Sequence, residues 1–170
     1  YEQLREYFHQ FAKESSEKMQ APMCYCKNMS VDAILHYYAG QLEDAGVSFH
    51  HSIEVPQKMK ITDLDICRIF GNLLENAVRA VKADKETEEP YVNCICRVRM
   101  GKLLIDIENS YSGEVRRNGD VFYSTSHSGQ GIGTASVSKT AEKYGGYADF
   151  EASEGVFRAN VFIPLENSGS

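Results

Sequence analysis

The chain has 170 residues, 42% of them hydrophobic and 25% charged, which suits one globular domain with a core large enough to fold alone. Its formal charge of −6 argues against a general nucleic-acid binder, since such proteins neutralise phosphates with clustered Lys and Arg. No apolar run approaches the roughly 20 residues that span a bilayer, and no signal peptide opens the chain.

Leu4, Tyr7, Phe8, Phe11, Ser15 and Met19 recur at three- and four-residue intervals, so residues 3–19 read as an amphipathic helix that Pro22 ends. Ser30 is the expected N-cap of a second helix running to about Asp44, with Gly46 as its C-cap. Val47–Val55 reads as a strand. Thr62 or Asp63 caps a third helix that continues to about Ala83. The segment from Lys82 to Pro90 reads as a solvated, charged loop.

Two strands follow, near 91–100 and 102–109, joined at Gly101-Lys102. Strand alternation puts Cys94 and Cys96 on one face, where free Cys packs as a small apolar residue. Neither Cys24-x-Cys26 nor Cys94-x-Cys96 has the C-x-x-C spacing of zinc or redox sites, so a reducing, cytosolic compartment is expected. Ser110–Gln130 is long, polar and without clear periodicity, the profile of a functional lid or a poorly ordered segment. A helix from about Ile132 to Tyr144 stops at Gly145-Gly146, and a final hairpin pairs Tyr147–Ala152 with Val156–Pro164. The expected fold is α+β, a two-layer sandwich with a mixed sheet covered on one face by helices.

On a helical wheel the third helix is apolar over most of its circumference. A narrow polar stripe holds Asp65, Arg68, Asn72, Glu75, Asn76 and Arg79. Asn72 and Asn76 stack one turn apart, Asn76 beside the apolar boundary. Magnesium is usually held by one or two protein oxygens, with waters and phosphates completing its octahedron. Asn76 offers such an oxygen without adding negative charge, and Arg79, on the same stripe, is placed to meet a phosphate. The stripe also fits a solvated edge carrying an ordinary Glu75–Arg79 pair at i,i+4.

Gly129, Gly131 and Gly133 alternate just before a helix. Glycines let backbone N–H groups approach phosphate closely, and the helix start adds a positive end. A lid hinge would use the same residues. The loop is not Walker A, because no Gly-Lys-Ser/Thr follows.

The run Asn72-Leu73-Leu74-Glu75-Asn76-Ala77-Val78-Arg79 resembles the N-box of sensor histidine kinases, and Gly129-Gln130-Gly131-Ile132-Gly133 resembles their second glycine box. The resemblance is to their ATP-binding catalytic domain, of the GHKL or Bergerat type, closest to the peptide-sensing, accessory-gene-regulator kinases. It implies domains at 1–21 (end of a dimerisation helix), 22–165 (ATP-binding kinase domain) and 166–170 (tail). It implies ATP and Mg²⁺ as cofactors, with Asn76 ligating the metal, Asn72 supporting the metal-phosphate site and Arg79 contacting phosphate as the catalytic cation. By the same resemblance Asn109 accepts from adenine where the family usually has Asp. The lid residues Ser124, Thr125 and His127 join Gly129, Gly131, Ile132 and Gly133 around the nucleotide, with Ser126 standing where related kinases carry Lys.

No histidine in the chain fits a phosphoacceptor: His9 is followed by Gln10, and His36, His50 and His51 fall within the ATP domain. The start at Tyr1 leads us to expect an excised piece of a longer, membrane-anchored protein with this domain in the cytoplasm. The partners implied are its own dimerisation domain in a homodimer and a response regulator. The alternatives are a nucleotide-binding sensor or scaffold with degenerate kinase activity, and a serine kinase of the anti-sigma type.

Overall fold

A computed structural model describes residues 24–112, 116–118, 121–123 and 132–165. The helix expected over residues 3–19 and the tail at 166–170 lie outside these. The first described helix, α1, covers Met29–Asp44. Its N-cap is Asn28 and not Ser30, because the Asn28 side chain accepts from the Val31 amide at 3.1 Å and so satisfies a free donor of the first turn. Gly46, at φ +68°, turns the chain into strand β1, Ser48–Ile53.

Helix α2, Asp63–Ala83, starts at Thr62, whose hydroxyl accepts from the Asp65 amide at 3.2 Å. Ile66, Ile69, Phe70, Leu73, Leu74, Ala77, Val78 and Val81 are all buried. The wheel overstates that apolar arc at one place, because Leu64 is 69% exposed on the first turn. It also misplaces Asp65, which belongs to the polar stripe by spacing but is only 2% exposed. Phe70 is fully enclosed, so Phe70→Ala is expected to cost about 3–5 kcal/mol, read as a lower denaturation midpoint at unchanged slope.

Strands β2, Tyr91–Arg99, and β3, Lys102–Ser110, form a hairpin. The two-residue turn is Met100-Gly101, with φ of 50° and 70°, one residue earlier than expected. Both positive values define the type I′ geometry that matches strand twist. Glu154-Gly155, at 49° and 78°, repeats this between β6, Tyr147–Ser153, and β7, Val156–Pro164. A short antiparallel pair within the long polar stretch, β4 (Arg116–Asn118) with β5 (Val121–Tyr123), has no counterpart in the periodicity. Helix α3 covers Ile132–Lys143, and Gly145 at φ +74° follows it.

The five-stranded sheet has the order β1-β2-β3-β7-β6, with β1 parallel to β2 and the other pairs antiparallel. It is therefore mixed, as expected. Central β3 turns Leu103, Ile105, Ile107 and Asn109 to the buried face. On its opposite face Leu104 lies in register with Phe162, which stacks on Tyr147 at 5.1 Å and receives the Lys102 ammonium over its ring. The described helices cover the first face. Cys94 and Cys96 are buried there as free thiols, as strand alternation requires.

Candidate nucleotide site

The site forms where the polar stripe of α2 meets the first turn of α3. Gly133 sits so close to the stripe that a Cβ placed on it would lie 3.2 Å from Asn76 Nδ2, 3.3 Å from Asn76 Oδ1 and 3.4 Å from Asn72 Oδ1. Such distances are tighter than ordinary carbon contacts, so glycine is what admits both amides beside the helix start. Its backbone carries no positive φ, and the requirement here is space alone.

The two amides are held differently. Asn72 donates from Nδ2 to the Arg68 carbonyl at 2.7 Å, which leaves its oxygen on the Gly133 side. Asn76 is half-buried and makes no side-chain hydrogen bond to another described residue. Arg79 is half-exposed and meets Glu75 at 3.1 Å, the i,i+4 pair expected from the spacing. The Tyr38 hydroxyl of α1 lies near Glu75. Burial first, and then the Glu75 charge, push the Tyr38 hydroxyl up to about 12. Tyr38 therefore stays neutral beside the carboxylate that holds Arg79.

Asn109 ends the buried face of β3, 2% exposed, and donates to the Ser110 carbonyl at 3.0 Å. Of the expected lid, Ser124, Thr125, His127, Gly129 and Gly131 lie outside the described residues. Ile132 opens α3. His36 contacts Asp32 at 3.4 Å and Tyr25, and His51 packs on Tyr25 and Phe49. Those surface contacts account for both residues.

Two carboxylates escape the sequence reading. Asp65 Oδ2 accepts from Lys143 Nζ and from the Tyr144 hydroxyl, both at 2.6 Å, and Oδ1 accepts from Arg68 at 2.8 Å. The Thr62-x-x-Asp65 spacing resembles a capping box and was the one available signal. Asp84, at the end of α2, accepts from the amides of Glu86 and Thr87, the Thr87 hydroxyl, and both the amide and hydroxyl of Ser112. The segment taken for a plain solvated loop therefore ties α2 to the exit of β3, where the long polar stretch begins. An Asx-turn signature, Asp84-Lys85-Glu86-Thr87, was legible there.

The Lys143 ammonium, followed by the Tyr144 hydroxyl, holds the Asp65 carboxyl down at about 2 against its own burial. At Asp84 burial opposes the charge, but the bonds from Ser112 and Thr87 outweigh it and leave the carboxyl well below the usual range. Both groups are depressed in the folded chain, so their stabilisation is complete above the unfolded carboxylate value near 4 and is lost as pH falls through the folded value. The melting temperature should therefore decline between about pH 4 and pH 2, and Asp65→Asn should flatten part of that decline in a pH series of thermal melts.

A family profile described as GHKL domain matches residues 60–164. A comparison with curated proteins finds no match. Among solved structures, the catalytic domain of histidine kinase ThkA superposes with TM-score 0.61 at 16% identity, over 81% of this chain and 92% of that one. The mycobacterial sensor histidine kinase MprB gives 0.59 at 18% identity, over 79% and 93%. The Acinetobacter baumannii histidine kinase AdeS gives 0.59 at 15% identity, over 81% and 64%. These likenesses carry the fold, a helix layer on one face of a mixed sheet, while the profile spans α2 with its amides, α3 and both hairpins. The chain belongs to the GHKL domain family.

Proposed function

We propose that this domain binds ATP with Mg²⁺ and delivers the γ-phosphoryl group to a histidine on the dimerisation segment of its own parent homodimer, from which a response regulator receives it. The reading rests on one observation above all, the Asn72 and Asn76 amides set against Gly133 at the start of α3. The residues fit a magnesium ion: one neutral oxygen from Asn76 leaves the remaining positions to water and phosphate. Bound there, the ion would neutralise charge on the polyphosphate.

The chain's own groups supply positioning. Asn72 backs the metal-phosphate site, Arg79 turns from Glu75 to a phosphate oxygen, and Asn109 meets the adenine edge. Ser124, Thr125, His127, Gly129 and Gly131, which lie outside the described residues, would by the family resemblance contact the polyphosphate. Catalysis then comes from holding donor and acceptor in line and from countering charge, which requires no nucleophile inside this domain. The domain would work in the cytoplasm, with any membrane attachment through another part of the protein. No described helix is long and apolar enough to cross a bilayer.

Titration with a non-hydrolysable ATP analogue, with and without Mg²⁺, tests the binding step. Transfer from labelled ATP to a separately supplied dimerisation segment tests the second. Ser126 and Asn109, which replace the Lys and Asp of related kinases, support a second reading as a nucleotide-binding sensor. That reading predicts Mg²⁺-dependent binding with no label on the histidine.

A further inference from the structure

We propose that Asp65 is a positioning residue for the nucleotide site, setting the axial register of α3 along α2 and so the placement of Gly133 against Asn72 and Asn76. The inference rests on the nucleotide reading of that site. Asp65 touches no ligand position itself and acts only through α3.

The two helices run antiparallel, because Lys143 at the end of α3 meets Asp65 at the start of α2 while Gly133 at the start of α3 meets Asn76 further along. From Asp65 to Asn76 the rise along α2 is about 16 Å, and from Gly133 to Lys143 the rise along α3 is about 15 Å. The lengths match, so a contact that pins one end of α3 determines where the other end falls. Between the two ends, Val137 and Ala141 of α3 are fully buried, apolar side chains. Apolar packing of this kind resists separation more than it resists sliding.

The Asp65 end carries several directional bonds. Oδ2 is shared by the Lys143 ammonium and the Tyr144 hydroxyl, and that same hydroxyl accepts from the Thr62 amide at 3.2 Å. Tyr144 is therefore gripped from two sides, one of them backbone. Arg68, which takes the other carboxylate oxygen, also supplies the carbonyl that orients Asn72. The network thus reaches the amide pair by two routes, along α3 to Gly133 and along α2 through Arg68.

The test uses the full chain and measures affinity for a non-hydrolysable ATP analogue with and without Mg²⁺, well below the melting temperature. The ratio of the two affinities reports the metal-phosphate end of the site. Asp65→Asn is expected to shrink that ratio about tenfold. Lys143→Met, at a side chain 60% exposed and so tolerant of change, is expected to shrink it about threefold. Ile163→Val, fully buried on β7 and remote from the network, serves as a core variant that lowers the melting temperature with the ratio intact. Ratios unchanged in both network variants overturn the positioning role while leaving the nucleotide site standing. A ratio that falls in Ile163→Val as it does in Asp65→Asn shows a general stability effect and also overturns it. Failure of the unaltered chain to bind in a Mg²⁺-dependent way removes the nucleotide reading, and this inference with it.

Discussion

Asn76→Ala is expected to abolish Mg²⁺-dependent nucleotide binding while leaving the fold intact. Asn76 is half-buried, is fixed one turn from Asn72 on a helix with a buried apolar face, and spends no hydrogen bond on another described side chain. Its removal therefore costs little packing and no bond to another described residue. The loss falls on the ligand. Removing an outer-shell partner of a metal commonly costs about 10–100-fold in affinity, so removing a direct ligand should cost at least the upper end of that range. In calorimetry, Mg²⁺ should raise the affinity of the unaltered chain and leave the variant unaffected. Equal Mg²⁺ dependence in both would take Asn76 out of the site. Phosphoryl transfer should fall further, by about 10²–10³, because charge stabilisation is needed most where charge develops.

Gly133→Val should separate stability from binding. Gly133 lies within α3 at an ordinary helical φ, so a side chain there meets no backbone strain. Gly→Ala in a helix interior gains up to about 1 kcal/mol by propensity alone. The first carbon of any side chain lands 3.2–3.4 Å from the amides of Asn76 and Asn72, and the branches of Val go further into the same space. Asn76 makes no hydrogen bond to another described residue and so is less firmly held. Asn72 is held by the Arg68 carbonyl and yields less. The expected outcome is a Gly133→Ala chain with an equal or higher melting temperature and about tenfold weaker nucleotide binding, and a Gly133→Val chain in which binding is lost. Thermal melts with and without the Mg²⁺ nucleotide measure both quantities at once. A Gly133→Val chain that binds normally would show that α3 and the amide stripe do not share one cleft.

Much of the fold was legible because it depends on local periodicity. The apolar arc of α2, the alternation that buries Cys94 and Cys96, and the glycines that end α1 and α3 all follow from side-chain spacing and backbone freedom within a few residues. The amide pair of the candidate site was legible for the same reason, since both residues lie on one helix at a spacing that places them on one face. Errors at this level were small and local, such as the cap at Asn28, where an amide outcompetes the Ser30 hydroxyl for the first-turn donors.

Local pattern could not decide what the polar stripe faces. Asp65 and Asn76 look alike on a wheel, yet one is sealed beneath Lys143 and Tyr144 and the other is half-buried beside Gly133. The distinction comes from α3, whose Lys143 lies 78 positions from Asp65 in the chain. No periodicity spans such a separation. Asp84 teaches the same point, since its charge reads as solubility until the sheet returns Ser112 to it. The amino-acid order by itself determined the elements, their buried faces and the amide pair. Only the tertiary structure decided which polar groups are spent on holding helices together, because that choice depends on contacts between segments that meet only after folding.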